Sequence, residues 1–392
     1  MPESDQSAAG DAIVVDDDLW EELIELTGGA AAVCYQCGVC TATCPWGLLE
    51  MQALSVRALI RQAQLGLPDG KDSLWLCTTC AQCEAHCPRG VSIVDVLRGL
   101  RAIAWERRQA PKGLPSLLWS IYWNNNPWSQ PPSQRSQWAR SLALPAFDPQ
   151  QHEILFYVGC TSSYDGRARR VAHALVDLLR AANVPFGVLG DDEPCCGEAA
   201  LSVGHLPYFQ EIAEHAARVF REKGVTRLVT ISPHCYDVFK NHYPRAGAAL
   251  APLHYTQYLA ELIEAGRLSF DRAAKLKVTF HDPCYLARRN GECEAPRRVL
   301  QAIPGVELVE MERSRSDALC CGGGGGRMWL ETAAGERFSD LRVEEARATG
   351  AQVLATACPF CTACLEDSLK AQRVKEPVVL DVAEIAAQAL SG

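Results

Sequence analysis

The sequence predicts an α+β multidomain protein, in which an α-helical N-terminal domain precedes a duplicated α/β unit built on parallel sheets. Three observations carry this expectation. From about residue 152, short apolar runs alternate with helical patterns, the signature of parallel sheets. A cysteine layout occurs twice in that half: Cys160, Cys195–Cys196–Gly197 and Ser232/Cys235, then Cys284, Cys320–Cys321–Gly322 and Cys358/Cys361, with matching positions 124 to 126 residues apart. Ahead of both, residues 19–108 hold eight further cysteines separated by short helical patterns.

Taken in order, residues 1–18 are polar and acidic and read as a disordered leader. Within 19–108, Leu48, Leu49 and Leu54 run into Val56, Leu59 and Ile60 at helical spacing. Residues 109–150 are rich in Pro, Asn, Gln and Ser, with Trp119, Trp123, Trp128 and Trp138 interspersed. They form a connector too aromatic for a free linker, expected to pack along a domain surface or a partner. The plainer outcome is burial of the tryptophans against their own domain.

The first α/β unit is expected over 151–270. A strand over 153–158 ends at Cys160, and a helical pattern runs through Val171, Leu175, Leu178 and Leu179. A short strand over 186–189, a helix over 208–223 and a strand over 227–231 follow, the last ending at Ser232-Pro-His-Cys235. The second unit, over 271–392, repeats this with strands at 277–280, 306–311 and 353–357, the last ending at Cys358-Pro-Phe-Cys361. Each cysteine group thus follows the C-terminal end of a strand, where open α/β sheets place their ligands. Three loops per unit converge on one spot.

Length and composition, at 392 residues with 48% hydrophobic and 22% charged, are ordinary for two to three globular domains. A formal net charge of −9 argues against nucleic acid or an anionic membrane as the main partner. The start of the chain has neither the basic nor the apolar region of a secretory signal. No stretch approaches the roughly 18 apolar residues of a spanning helix. The 19 cysteines fall largely in tight C-x-x-C runs, which suit metal ligation better than cross-linking. A cytoplasmic metalloprotein without a direct membrane span is expected.

The first cysteine set is the most specific. Cys34, Cys37, Cys40 and Cys44-Pro45 have the C-x2-C-x2-C-x3-C-P spacing, and Cys77, Cys80, Cys83 and Cys87-Pro88 repeat it. This is the two-cluster ferredoxin run, whose fourth cysteine reaches the other cube. One [4Fe-4S] cubane is therefore expected on Cys34, Cys37, Cys40 and Cys87, and a second on Cys77, Cys80, Cys83 and Cys44. The 32 residues between Cys44 and Cys77 leave room for helices, so an α-helical ferredoxin domain is expected. Structural zinc uses four ligands per ion and has no need of the doubled spacing.

The second set offers five cysteines to one site. Cubes and zinc both saturate at four, so Cys284, Cys320, Cys321, Cys358 and Cys361 would suit a cluster opened into two joined units with a bridging thiolate. The first copy offers only four, because Ser232 stands where Cys358 stands in the second. Gly322 to Gly326 lack the Gly-Lys-Ser/Thr of a phosphate loop and are expected to bring backbone N–H groups to cluster sulfur. His281 and Asp282 could deliver protons to a departing thiolate, or serve as a packing histidine and a turn cap. His234, beside Cys235, is a further candidate ligand. Cys293 reads as a bystander, and Cys364 as packing.

A two-cubane domain followed by two Cys…Cys-Cys-Gly…Cys-x-x-Cys units resembles the D-type subunit of heterodisulfide reductase and the glycolate oxidase iron–sulfur subunit, members of the CCG-domain family. The strings Cys34-Tyr-Gln-Cys-Gly-Val-Cys40 and Cys87-Pro-Arg-Gly-Val91 favour the heterodisulfide reductase branch. The resemblance implies a noncubane [4Fe-4S] cluster on Cys284, Cys320, Cys321, Cys358 and Cys361 as the catalytic centre. Cys160, Cys195, Cys196 and Cys235 could hold a cube, a degenerate noncubane cluster or zinc. Two functions are compatible with this. One is a redox subunit passing electrons from the cubanes to a disulfide or thiol substrate. The other is an electron-transfer and docking subunit between a flavin-containing reductase and a membrane cytochrome or quinone-reactive subunit, with membrane association only through that partner.

Overall fold

A computed structural model describes residues 15–49, 54–67, 73–332 and 335–390. The leader expected over 1–18 lies outside the described residues up to position 14. From there the chain is docked: the Asp16 N–H donates to Gly66 O at 2.7 Å, and its carboxylate pairs with Arg107.

The N-terminal region is helical, with main helices at Leu19–Leu26, Val56–Gln64 and Ile93–Glu106. Two one-turn helices, Val39–Ala42 and Gln82–Ala85, carry Cys40 and Cys83. The loops before them match. Gln36 and Gly38 in one, and Thr79 and Ala81 in the other, adopt left-handed φ between 53° and 88°. Three of these four residues are not glycine, and such strain is held where the surrounding structure over-determines it. Winding of this kind turns successive N–H groups toward one point.

Each α/β unit is a four-stranded, wholly parallel sheet. The first comprises β1 (Ile154–Tyr157), β2 (Phe186–Gly187), β3 (Arg227–Thr230) and β4 (Ala251–His254), ordered β2-β1-β3-β4. The second comprises β5 (Leu276–Phe280), β6 (Val306–Val309), β7 (Val353–Thr356) and β8 (Val378–Asp381), ordered β6-β5-β7-β8. Ile-Leu-Phe-Tyr in β1 and Val-Leu-Ala-Thr in β7 are buried throughout, as strands covered on both faces must be. Strands β4 and β8 were not expected from the sequence. Pro252 in β4 removes a ladder donor and belongs on an edge strand, which is where β4 lies. Within each sheet the order reverses around the central strand, and the cysteine loops emerge at that switch point.

The two sheets share one apolar core, in which Val171, Leu175 and Tyr258 of the first unit join Val299, Val382 and Ile385 of the second. Arg167 bridges the units, reaching Glu366 at 2.5 Å and Glu384 at 2.7 Å. Beside it, the Tyr255 hydroxyl donates to the fully buried Asp381 at 2.6 Å. The connector contains a helix, Gly113–Asn124. Trp138 buries against Phe156 and Trp128 packs edge-on to Trp329, whereas Trp119, Tyr122 and Trp123 stand 60%, 60% and 70% exposed. No helix among the described residues is long and apolar enough to cross a membrane.

Asp381 yields a pH prediction. Burial raises its pKa to about 7, against the lowering effect of the Tyr255 hydroxyl. A carboxyl raised in the fold contributes stability that is fully present below its unfolded pKa and is lost as pH rises through the folded value. Denaturant titrations at pH 5 and pH 8 are expected to show a loss of about 2–3 kcal/mol in the native chain that Asp381→Asn largely abolishes.

Candidate iron–sulfur centres

Spacing along the two ferredoxin-type runs delivers the expected interlock. Cys34, Cys37 and Cys40 line one cavity together with Cys87 from the other run, and Ile60, Pro88, Val91 and Ile93 complete its walls. The Val91 N–H points at the Cys87 sulfur at 3.4 Å. Cys77, Cys80 and Cys83 gather with Cys44, and burial together with their mutual repulsion holds the Cys83 thiol far above its ordinary range. The Thr79 N–H points at the Cys77 sulfur at 3.4 Å. Four soft sulfurs in an apolar wall, with N–H groups aimed at them, are what a [4Fe-4S] cube requires. The donor sets fit that group.

The second of these sets touches the second α/β unit. Cys320 Sγ lies 3.7 Å from the Thr78 hydroxyl and close enough to Cys80 to raise its thiol, and it neighbours Cys284 and Cys321 as well. Cys361 in turn contacts Cys321 and Cys358, so all five cysteines of this unit converge as their strand-end positions predict. The Gly322 N–H lies 3.3 Å from the Cys320 sulfur. A ring nitrogen of His281 and the sulfurs of Cys321 and Cys361 lie within 4.8 Å of one another. Arg342 Nε donates to His281 Nδ1 at 3.1 Å. Burial first, then Arg342, holds His281 well below the ordinary imidazole range, so the ring is neutral with its proton on Nε2. Asp282 is committed elsewhere: it takes a two-point bond from Arg297 at 2.7 and 2.9 Å and accepts the Arg315 N–H at 2.7 Å, so it serves as an ion-pair partner.

A cavity of about 240 Å³ opens onto Cys321. Met328 and Cys364 line it, with the Cys364 sulfur 3.8 Å from the Met328 sulfur, and Cys364 also packs against the core around Cys321, Phe360 and Leu365. Cys293 precedes the helix Glu294–Gln301, half-buried.

In the first unit Cys160, Cys195, Cys196 and Cys235 also converge, with Cys196 and Cys235 sulfurs 3.3 Å apart. Ser232 is buried at the start of the helix Pro233–Asn241 and lines the same small cavity. Two connector residues that sequence reasoning missed complete the site. Arg135 places both terminal nitrogens 3.5 and 3.6 Å from the Cys160 sulfur and pairs with Glu193 at 2.9 Å. Asn125 Oδ1 accepts the Cys195 N–H at 2.8 Å. A buried guanidinium beside these thiols offsets the negative charge that a metal-loaded thiolate set retains. The only advance signal was polar residues inside an aromatic-rich segment.

His234 does not turn toward its own cysteines. It crosses to the second unit, stacks on Tyr285 at 3.9 Å between ring centres, lies 4.7 Å from Phe360 and comes close enough to Cys358 for the two to shift one another. Its Nδ1 lies 3.2 Å from Glu198, though outside hydrogen-bond alignment. Burial lowers its pKa, but Glu198 and Cys358 outweigh that and hold the ring cationic. Burial raises Cys358, yet bonds from Cys361 and His234 pull it well below the usual thiol range. Trp329 and Phe360 help to line the first site, whose cavity of about 40 Å³ is bounded by Cys160, Cys195, Cys196 and Cys235. That is room for a water, not for a substrate.

Arg101, fully buried in the helix Ile93–Glu106, holds these centres together. It donates to Leu74 O and Cys77 O in the N-terminal region, Ser202 O in the first unit and Gly325 O in the second, at 2.6–3.1 Å. The glycine run serves this contact. A Cβ on Gly324 would lie 2.3 Å from Thr78 O, and one on Gly325 2.1 Å from Cys77 O. Gly324 and Gly325 thus let two backbones meet, while Gly323 makes room for the Cys364 and Met328 side chains and Gly326 for Val203.

The cysteine-rich domain (CCG) family matches residues 154–240 and again 278–366, and the 4Fe-4S dicluster domain family matches 30–91. The probable iron–sulfur-binding oxidoreductase FadF of Bacillus subtilis is 37% identical over 82% of this chain and 47% of its own length. The EtfAB:quinone oxidoreductase of Syntrophomonas wolfei is 35% identical over 81% of this chain and 46% of its own. The chain therefore spans about half the length of these two. The D-type subunit of the dihydromethanophenazine:CoB–CoM heterodisulfide reductase of Methanosarcina acetivorans is 30% identical, with 90% of this chain and 93% of that protein covered.

Arg101→Met would leave four carbonyls from three regions without their donor. It is expected to cost about 3–5 kcal/mol in anaerobic denaturant titrations, the range for breaking a buried charged network.

Proposed function

The chain belongs to the family of iron–sulfur oxidoreductases that includes the D-type subunit of heterodisulfide reductase, and on that footing we propose that it passes electrons from two cubane clusters to a noncubane [4Fe-4S] cluster that reduces or oxidises a disulfide or thiol. The observation that carries this reading is the meeting of the Cys77–Cys80 loop with Cys320, whose sulfur lies 3.7 Å from the Thr78 hydroxyl and beside Cys80, which makes a cubane ligand and a ligand of the five-cysteine site neighbours. Clusters held by these thiolates would supply one-electron transfer. The ligands assigned to the first cubane are Cys34, Cys37, Cys40 and Cys87. Those of the second are Cys77, Cys80, Cys83 and Cys44.

At the five-cysteine site, Cys284, Cys320, Cys321, Cys358 and Cys361 are the ligands. His281 lies beside the Cys321 and Cys361 sulfurs as a neutral ring, held at Nδ1 by Arg342, with its buried Nε2–H unpaired among the described residues. The 240 Å³ cavity over Cys321 admits a small thiol or disulfide and excludes a macromolecule. Cys160, Cys195, Cys196 and Cys235 hold a further metal centre, an iron–sulfur cluster or zinc, with Arg135 as its charge partner.

A second reading is favoured by the ring layer between the two cysteine groups. His234 packs there against Tyr285 and Phe360, the first site keeps a cavity of only about 40 Å³, too small for a substrate, and the chain would act as a relay between a flavin-containing subunit and a quinone-reactive membrane subunit. One relative named an EtfAB:quinone oxidoreductase is in keeping with such partners, and association with a membrane would then come through the partner.

Cys321→Ala separates the assignments spectroscopically. It is expected to abolish the noncubane electron-spin signal and to leave the cubane signals intact, and unchanged spectra would refute the five-ligand site. Thiol oxidation or disulfide reduction by the purified chain with an artificial electron carrier would support the first reading, and its absence the relay.

A further inference from the structure

The proposed centres form a line with one end at the surface. Of the 19 cysteines, Cys37 alone is exposed. Its neighbour Cys40 lies close enough to Cys83 to raise that thiol, and Cys80 touches Cys320. The order from outside to inside is the Cys37 set, the Cys80 set and the five-cysteine site. The outer end has a distinct surface. Tyr35, 58% exposed, and Pro88 flank Cys37 as apolar ground. Arg57 and Arg89, both exposed, line the same cavity, and no carboxylate among the described residues does. Arg61 stands one turn beyond Arg57 on the helix Val56–Gln64, bonded to Gln64. None of these three arginines enters an ion pair among the described residues. On a chain with net charge −9, this is a local reversal of sign placed at the outermost cysteine.

We propose that the surface around Cys37 is the docking port for an acidic one-electron carrier protein, one whose carboxylates surround its own exposed redox centre. The argument is charge complementarity. Arginines around an apolar centre steer an acidic partner and fix its orientation, and the small apolar patch lets the two redox centres approach without a large interface. In each encounter the carrier loses one electron and the Cys34/Cys37/Cys40/Cys87 centre gains it, or the reverse, with no bond made or broken. The inference rests on the reading that these four thiolates hold a cubane.

The test is stopped-flow electron exchange between the cluster-loaded chain and a reduced plant-type [2Fe-2S] ferredoxin, an acidic carrier, with basic cytochrome c as the opposite probe. The native chain should exchange with ferredoxin at a rate that falls about tenfold or more from low to high salt. The double variant Arg57→Glu/Arg89→Glu should lose about tenfold at low salt and most of its salt dependence, with Arg57→Gln/Arg89→Gln between the two. Cytochrome c should respond in the opposite sense. Iron content and cubane spin signals should stay at native levels in both variants. Native-rate exchange of the Glu variant with ferredoxin would overturn the port while leaving the cubane reading intact. Absence of cubane signals from the native chain would overturn both.

Discussion

Everything about the proposed electron line depends on one buried side chain, Arg101. A guanidinium taken out of water is costly, and burial lowers its pKa. What offsets that cost is its use: four carbonyls from three separate regions turn their lone pairs toward it. A lysine has no planar fork to reach four acceptors at fixed angles. Because Leu74 and Cys77 lie on one side and Gly325 on the other, the arginine sets the distance between the Cys77–Cys80 loop and the Cys320–Gly325 loop. The side-chain-free glycines allow that distance to be a backbone contact. Sulfur-to-sulfur proximity at Cys80 and Cys320 follows.

The duplication explains the rest of the centre and its asymmetry. Matched loops, Ser232-Pro-His-Cys235 and Cys358-Pro-Phe-Cys361, begin matched helices and meet face to face, which brings His234 and Phe360 together. The serine at position 232 in one copy accompanies a cation, His234, that helps to lower the corresponding thiol, Cys358, in the other. The first site instead draws its cation from the connector through Arg135. The two halves thus have different charge environments, one with a cavity of about 240 Å³ at Cys321 and the other with about 40 Å³ beside Trp329 and Phe360.

Much of this was legible in the sequence where covalent spacing limits the answer. Thiols at three-residue intervals, with the fourth before proline, leave little choice of partners, and the exchange of Cys44 and Cys87 between sets follows. Alternation of apolar runs and helical patterns located six of the eight strands. β4 and β8 escaped because Pro252 interrupts the one and the other is a four-residue run that passes directly into a helix at Val382; edge position is not the reason, since the edge strands β2 and β6 were located. Residues that act on a site from another region also escaped. Nothing near Arg101, Arg135 or Asn125 in the chain marks them as partners of cysteines, since their roles exist only after three regions pack. His234 was noticed for the cysteine beside it, yet its partner lies in the other copy. The glycine run was read as serving cluster sulfur, and mainly serves backbone approach.

The central claim is that the Cys77/Cys80/Cys83/Cys44 centre and the five-cysteine centre are direct neighbours. Electron paramagnetic resonance of the cluster-loaded chain during stepwise reduction tests it most directly. The account predicts that the signal of the five-cysteine centre broadens or splits as the adjacent cubane becomes paramagnetic, and that the Cys37-side centre perturbs it far less. Signals that remain sharp and independent through the whole titration would contradict it.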